Sequence, residues 1–362
     1  MKPIRSEVYK NVNFFSNYVE LFRKILKHYR LHGIKSLQKT TRYHLLHLIV
    51  PIYSRPQKAP YLFVHIPKTA GTSFRMALEE LFGWHMVLRD YGPKKGRSSA
   101  LISERLPKSS IGQIRETLKS FRLICGHVHL TKYLMLSGLA KTITFLREPL
   151  QRSYSNYLHA SRIEGFQGSL NSYLQSQSNI QSRILGGLPL EALGFVGISE
   201  RYSESLQLLQ LQFPELKLTE LRENFNEEKE EEYYRFSAEE EELLRQHNQN
   251  DLILYERALR LFEERLEAAR IRTPYHRGGL QNIQKNLVQG WLSADDIAPV
   301  VLAKLDGRVI ASTRAYEFRP GLACWGIERE GFVGFSLRSN EIDLQKCTVQ
   351  LDDPTQRILL PL

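Results

Sequence analysis

The sequence predicts an α/β fold, with a parallel sheet flanked by helices, followed by a small C-terminal β-sandwich. Between residues 58 and 272, short apolar segments alternate with helical patterns, which is typical of parallel strands joined by helices. From about residue 286 onwards, short strand-like segments follow one another without a helical pattern. A basic arm, residues 1–57, precedes both regions.

Three of the four predicted strands of the sheet, the first, third and fourth, lead into a helical pattern. Apolar residues at 74, 77, 78 and 81 predict a helix that Gly83 ends. Pro149 suits the first turn of the next helix, because its missing N–H is not needed there. Ser199 is the expected cap of the helix after the fourth strand, and residues 219–270 are helical by composition. The strands are residues 61–66, 121–125, 141–146 and 195–198.

The C-terminal region carries a strong hairpin signal. Segments 300–305 and 308–313 flank Asp306-Gly307, a dipeptide that favours a two-residue turn between antiparallel strands. Further short strands are expected at 331–337 and 347–351, without a helix. We therefore expect residues 286–362 to form a separate sandwich domain.

The net charge of +11 comes almost entirely from the N-terminal part of the chain. Residues 1–58 hold twelve lysines and arginines against two glutamates, so they carry +10 of the total. Because the remaining residues are nearly neutral, no nucleic-acid partner is expected. Apolar residues make up 42% and charged residues 25% of the chain, which excludes bulk disorder. Three cysteines without a CxxC pair exclude a disulfide framework and indicate a reducing compartment.

The N-terminal arm has two interpretations. Apolar residues from 14 to 29 recur at helical spacing with basic residues between them. The helix either packs on the main domain or a partner chain, or lies in the plane of an anionic membrane surface. Residues 44–53 are far shorter than the ~20 residues that span a bilayer, and no signal-peptide pattern is present. We therefore expect a cytoplasmic protein, with contact at the inner face of the membrane through residues 1–58 under the second interpretation.

Open parallel sheets bind ligands beyond the carboxyl ends of their strands. The first predicted strand is followed by Lys68, the second by His127 and the third by Arg147. Two cations and an imidazole should therefore meet at one edge of the sheet.

The loop after the first strand has the composition of a phosphate-binding loop. Gly71 lets backbone N–H groups approach an anion, three hydroxyls can donate, and a helix N-terminus adds its dipole. The loop is P-loop-like without being a Walker A motif, because the lysine precedes the glycine by three residues. The candidate anion-binding residues are Pro67, Lys68, Thr69, Ala70, Gly71, Thr72 and Ser73.

A second anion site is predicted at Arg147 and Ser155, eight positions apart. Two such sites suit a ligand with two separated phosphates. No predicted strand ends in the aspartate that would hold Mg²⁺, since Cys125, Arg147 and Ser199 occupy those places. We therefore expect no metal, and triphosphate chemistry is disfavoured.

The residues of the two predicted anion sites resemble motifs of a known enzyme family. Residues 65–73 resemble the 5′-phosphosulfate loop of sulfotransferases that use 3′-phosphoadenosine 5′-phosphosulfate (PAPS), and residues 146–155 resemble their 3′-phosphate motif. Cys-Gly-His-Val at 125–128 is similar to the His-Gly-His-Val of heparan sulfate 2-O-sulfotransferases, and residues 195–200 resemble the following strand and helix start. The resemblance spans roughly residues 60–265.

The resemblance implies sulfuryl transfer from PAPS to a hydroxyl of a carbohydrate or glycoconjugate. It assigns Lys68 to the leaving group and His127 to the general base. Cys125 departs from the family pattern and leaves one histidine of the pair. His129 is the rival base and, with Arg183 in the family-like segment 179–183, a candidate acceptor contact.

Other interpretations stay open. The C-terminal region resembles a small bacterial β-sandwich module attached to sugar-modifying enzymes, in which Trp291 and Trp325 either stack on sugars or fill the core. A kinase-like phosphotransferase and a catalytically inactive scaffold that binds nucleotide or glycan are the alternatives to a sulfotransferase.

Overall fold

A parallel sheet with β1 at its centre organises the protein. This computed structural model describes residues 59–92, 98–102, 116–218, 233–293 and 297–362. The strand order is β2-β3-β1-β4-β5, and every neighbouring pair is parallel. The strands are β1 (Tyr61–Val64), β2 (Val87–Asp90), β3 (Leu123–Gly126), β4 (Thr142–Leu146) and β5 (Phe195–Ile198).

The sheet confirms the predicted α/β class and the four predicted strands. Strand β2 is an addition that the sequence did not indicate, because only two apolar residues precede Arg89 and Asp90. The other four strands are buried along their whole length, as expected for a sheet with helices on both faces.

Helices connect the strands and cover the sheet. Gly83 ends α1 with φ of 79°, as predicted. Pro149 opens α3, and the Glu148 side chain accepts a hydrogen bond from Gln151 N. These helices are α1 (Gly71–Phe82), α2 (Thr131–Ser137), α3 (Pro149–Ile163), α4 (Leu170–Gln177), α5 (Ile180–Leu185), α6 (Tyr202–Gln212), α7 (Ala238–His247) and α8 (Gln249–Arg270).

The structure differs from one helix prediction and describes part of the segment covered by another. Ser199 does not cap α6, because Ser199–Arg201 forms a single 3₁₀ turn and α6 begins at Tyr202. The helical prediction for 219–270 is confirmed at α7 and α8, whereas residues 219–232 lie outside the described residues.

The N-terminal arm, residues 1–57, also lies outside the described residues. None of the described helices combines the length and apolar character that crossing a bilayer requires.

Two antiparallel sheets form the C-terminal sandwich. Apolar residues from both, including Val288, Val301, Phe335 and Val349, share one core. The sheets have the orders β10-β11-β7-β6 and β12-β8-β9. Their strands are β6 (Gly278–Gln284), β7 (Leu287–Leu292), β8 (Val300–Leu305), β9 (Arg308–Arg314), β10 (Glu317–Phe318), β11 (Phe332–Arg338) and β12 (Thr348–Leu351).

The hairpin between β8 and β9 confirms the turn prediction. Asp306 and Gly307 have φ of 49° and 78°, the positive values that a tight two-residue hairpin turn requires. The expectation of no helix in this region is wrong in one place, because the short helix α9 (Pro320–Cys324) lies between β10 and β11.

The sandwich packs against the parallel-sheet region away from the carboxyl ends of the strands. Trp291, 1% exposed, belongs to the core of the parallel-sheet region, and Trp325 packs against that core. Leu139 N donates to Trp325 O at 2.7 Å, and the Arg277 guanidinium donates to Ala192 O at 2.8 Å. Leu139 and Ala192 precede β4 and β5, at the amino ends of those strands. Trp291 therefore fills the core, and its ring is not accessible for stacking on a sugar.

Candidate functional site

The carboxyl ends of β1, β3 and β4 lie side by side. In the pairing register, Val64 is opposite both Gly126 of β3 and Thr144 of β4. The segments that follow these strands carry Lys68, His127 and Arg147, so the sequence-based expectation of one shared edge is met. Arg147 Nη1 donates to Lys68 O at 3.4 Å, which brings two of these segments into direct contact.

The loop between β1 and α1 turns through two left-handed residues. Lys68 has φ of 71° and Ala70 has φ of 57°, a conformation that costs energy in residues other than glycine. No described side chain caps the N-terminus of α1. The first N–H groups of α1 are thus left for another acceptor, which an anion would supply.

The hydroxyls of this loop differ in their surroundings. Thr69 is buried, and its Oγ1 donates to Ile66 O at 2.9 Å, so its proton stabilises the loop. Thr72 is exposed, and Ser73 and Pro67 are half-buried. Thr72 and Ser73 are therefore better placed than Thr69 to donate a hydroxyl proton to a ligand.

Gly71 is required by a neighbouring imidazole. A Cβ atom at this position would lie 2.4 Å from Cδ2 of His65, closer than real contacts allow. The His65 ring is 6% exposed and stacks on Phe63, with ring centroids 5.3 Å apart. The first residue of α1 is glycine because His65 fills the space beside it.

His65 also contacts His127, which gives the site a second imidazole. The two ring centroids are 4.8 Å apart, and Tyr91 lies 4.8 Å from His127. The sequence pattern gave one histidine here because Cys125 replaces the other. The second imidazole is that of His65, which directly follows β1. The Cys125 thiol is buried, and burial raises its pKa to about 12, so it stays neutral.

His127 and His129 lie in different surroundings, although both are exposed. His129 Nδ1 is 2.8 Å from Thr131 Oγ1, and its ring lies beside Gly186, just after α5. Arg183 of α5 is exposed, and its Nη1 is 3.4 Å from Ser176 O. His129 therefore lies beside the C-terminal end of α5, whereas the Arg183 side chain reaches back to Ser176, before the start of that helix. His127 contacts His65 and Tyr91 instead.

A buried amide fixes the backbone of Arg147. Gln181 is fully buried; its Oε1 accepts from Arg147 N at 3.1 Å and its Nε2 donates to Arg147 O at 3.0 Å. Asp251, also buried, accepts from the backbone N–H groups of Gln181 and Ser182 at 3.0 and 2.7 Å. Segment 179–183 thus acts on the site by holding Arg147 in place.

A second arginine lies near Arg147, close enough for the two charges to interact. Arg152 of α3 is fully buried, and its Nη2 donates to Ser153 Oγ at 2.7 Å. Among the described residues, Arg152 Nε and Nη1 and Arg147 Nε have no hydrogen-bond partner. Burial lowers the pKa of Arg152, opposed by the carboxylate of Asp251. Such a guanidinium costs stability, and a bound anion nearby would offset that cost.

Ser155 follows on the same helix as Arg152. It is 6% exposed and lies in α3, nearly two turns beyond Pro149. Of the predicted pair, Arg147 directly follows β4 and Ser155 lies in α3, with the buried charge of Arg152 between them in sequence.

One premise of the sequence analysis is wrong: a strand of the sheet does end in an aspartate. β2 ends at Asp90, opposite Gly126 of β3. The buried Asp90 carboxylate accepts from Lys132 Nζ at 2.6 Å and Tyr133 Oη at 2.7 Å. In the part of the chain that the structure describes, no group of three histidine, cysteine, aspartate or glutamate side chains could hold a metal. Asp90 instead anchors the start of α2.

Comparisons with known proteins add little. No protein-family model matches the chain, and no curated protein matches it. Among solved structures, the chain is similar to a sulfotransferase from Alicyclobacillus acidocaldarius, with 13% identity and a TM-score of 0.31 over 60% of this chain and 97% of that one. The function is therefore inferred from the residues of the site.

The buried His65 predicts a specific acid sensitivity of the fold. Burial, with the nearby His127 and Arg75, lowers its pKa from 6.5 to about 3. Below pH 6.5 the unfolded chain binds a proton that the folded chain does not, so stability falls as the pH falls. Between pH 7 and 5 we expect His65 to account for a loss of about 2 kcal/mol.

Urea unfolding at pH 7, 6 and 5 measures this loss. His65→Asn should flatten the dependence on pH relative to the wild type, and His129→Asn, at an exposed position, should leave it unchanged. Equal slopes for His65→Asn and the wild type would contradict a neutral buried His65.

Proposed function

We propose that the protein is a PAPS-dependent sulfotransferase that transfers a sulfuryl group to a hydroxyl of a carbohydrate or glycoconjugate. One observation carries the proposal: the edge shared by β1, β3 and β4 holds Lys68, His127 and Arg147 together. A cationic loop, a proton acceptor and a second cation are what this transfer needs from a protein. The resemblance of the motifs at 65–73 and 146–155 to PAPS-binding motifs supports the same donor.

The two ends of the donor would bind different elements. The 5′-phosphosulfate suits residues 67–73, where the N-terminus of α1 has no described side-chain cap. The 3′-phosphate suits Arg147 and Ser155, with the buried Arg152 adding positive potential. Arginine binds a dianionic phosphate through its planar fork, whereas a free 3′-hydroxyl offers it no charge. This division would make the site selective for a 3′-phosphorylated nucleotide.

Sulfuryl transfer requires two protein groups on opposite sides of the transferred sulfur. The acceptor oxygen forms a bond to sulfur while the bond between sulfur and the bridging phosphate oxygen breaks, and the acceptor's proton must leave. Lys68 would neutralise the charge that grows on the bridging oxygen. His127 would take the proton, because imidazole is the side chain suited to proton uptake near neutral pH. The scheme uses no metal ion.

The first functional prediction concerns Lys68. Lys68→Ala should abolish transfer of ³⁵S from labelled PAPS to extracted cell-surface glycans, because it removes a contact that is used mainly in the transition state. Lys285→Ala is the matched control, since Lys285 is exposed on the turn between β6 and β7.

Retention of kcat within about tenfold in Lys68→Ala, ~1.4 kcal/mol, would remove Lys68 from the mechanism. PAPS binding without transfer to any glycan would favour an inactive scaffold. Magnesium-dependent transfer of phosphate from ATP would favour a kinase-like enzyme.

The second functional prediction separates the two exposed histidines. His127→Ala should lower kcat by about 10²–10⁴, the usual effect of removing a general base, with little change in nucleotide binding. His129→Ala should cost much less, because its ring lies beside Gly186 and Thr131. Steady-state kinetics of the two variants at fixed PAPS concentration make the comparison. If His129→Ala shows the larger loss, the base is His129.

A further inference from the structure

Three aromatic side chains at the edge of the sheet form one compact cluster. His65, Tyr91 and His127 each directly follow a strand, and the strands end in register, with Val64 and Asp90 both opposite Gly126. The ring centroids of His65 and Tyr91 are 5.6 Å apart, and each lies 4.8 Å from His127. The cluster thus results from strand pairing. Two of its members, His65 and Tyr91, have no role in the proposed transfer of the sulfuryl group.

We propose that His65 and Tyr91 are positioning residues, which together hold the imidazole of His127 in the orientation that accepts the proton of the acceptor hydroxyl. The inference rests on the proposed function, because it concerns the same site. It assigns a role to the second imidazole of the site, His65, which the sequence pattern did not indicate.

His65 is suited to this role because its own ring is fixed on three sides. It stacks on Phe63 with an interplanar angle of 15°, lies against Gly71, and has Nδ1 2.9 Å from Tyr91 Oη. His127, in contrast, is exposed. Its ring meets both His65 and Tyr91 edge to face, at 71° and 75°. Two fixed rings therefore limit the orientations of an exposed one.

Burial keeps two members of the cluster, His65 and Tyr91, uncharged near neutral pH. Burial, together with His127 and Arg75, lowers the pKa of His65 to about 3. Burial raises the pKa of Tyr91, with Cys125 and Glu79 adding to this effect and Arg75 opposing it. Both positioning residues are therefore neutral, and neither repels a proton arriving on His127.

Tyr91→Phe is the most informative variant, because it removes one hydroxyl and keeps every ring of the cluster. We expect kcat for sulfuryl transfer to fall at least fivefold, with the Kd for adenosine 3′,5′-bisphosphate within twofold of the wild type. Tyr133→Phe is the matched control, since it removes a buried hydroxyl bonded to Asp90 instead. His65→Asn, which retains a polar group near Nδ1 but no ring, should lower kcat further.

The second measurement does not depend on activity. In ¹³C- and ¹⁵N-labelled protein, the midpoint of the His127 titration, followed by NMR, should move in Tyr91→Phe and His65→Asn and stay unchanged in Tyr133→Phe. Unchanged kcat and an unchanged His127 titration in both cluster variants would overturn the inference, as would equal losses in Tyr91→Phe and Tyr133→Phe. If the wild type transfers no sulfuryl group, the proposed function fails and the titration alone decides whether the cluster orients His127.

Discussion

The hydrogen bonds that hold β1 between β3 and β4 determine the rest of the site. His65 N donates to Gly126 O at 3.0 Å, which joins the ends of β1 and β3. Thr144 Oγ1 donates to Val64 O at 2.9 Å, which joins the end of β1 to β4 two residues before β4 ends. Gly126 permits this close approach on its other side, where a Cβ would lie 1.9 Å from Asp90 O. Because strand ends are fixed to each other, the loops that follow them start from defined positions.

Buried polar groups then turn these positions into a site with positive potential. The chain from Asp251 through Gln181 to the backbone of Arg147 uses fully buried side chains, whose loss would leave unsatisfied partners in the interior. Arg152 adds a buried charge whose hydrogen-bonding capacity is only partly used. Such a guanidinium costs stability in the interior, and under the proposed function the doubly anionic donor would offset that cost.

Sequence reasoning succeeded where the signal is local. Strands β1, β3, β4 and β5 are continuous apolar segments, and Asp306-Gly307 specifies its turn, so these elements could be predicted from their own residues. Strand β2 could not, because Val87 and Leu88 are too few to show a pattern, and the role of Asp90 was missed with it. The contact between the His65 and His127 rings depends on two strands about sixty residues apart in sequence. No pattern among neighbouring residues indicates such a contact. Ser199 was misjudged because a 3₁₀ turn and an N-cap look alike in sequence.

The central claim is that the edge of the sheet holds a ligand through two separate anionic groups, and calorimetric titration of two nucleotides tests it most directly. Adenosine 3′,5′-bisphosphate and AMP differ by the 3′-phosphate alone. The bisphosphate should bind at least tenfold more tightly, about 1.4 kcal/mol, and Arg147→Ala should remove most of that difference. Equal affinities for the two nucleotides in the wild type would contradict the account, because they would leave the site around Arg147, Arg152 and Ser155 without a ligand.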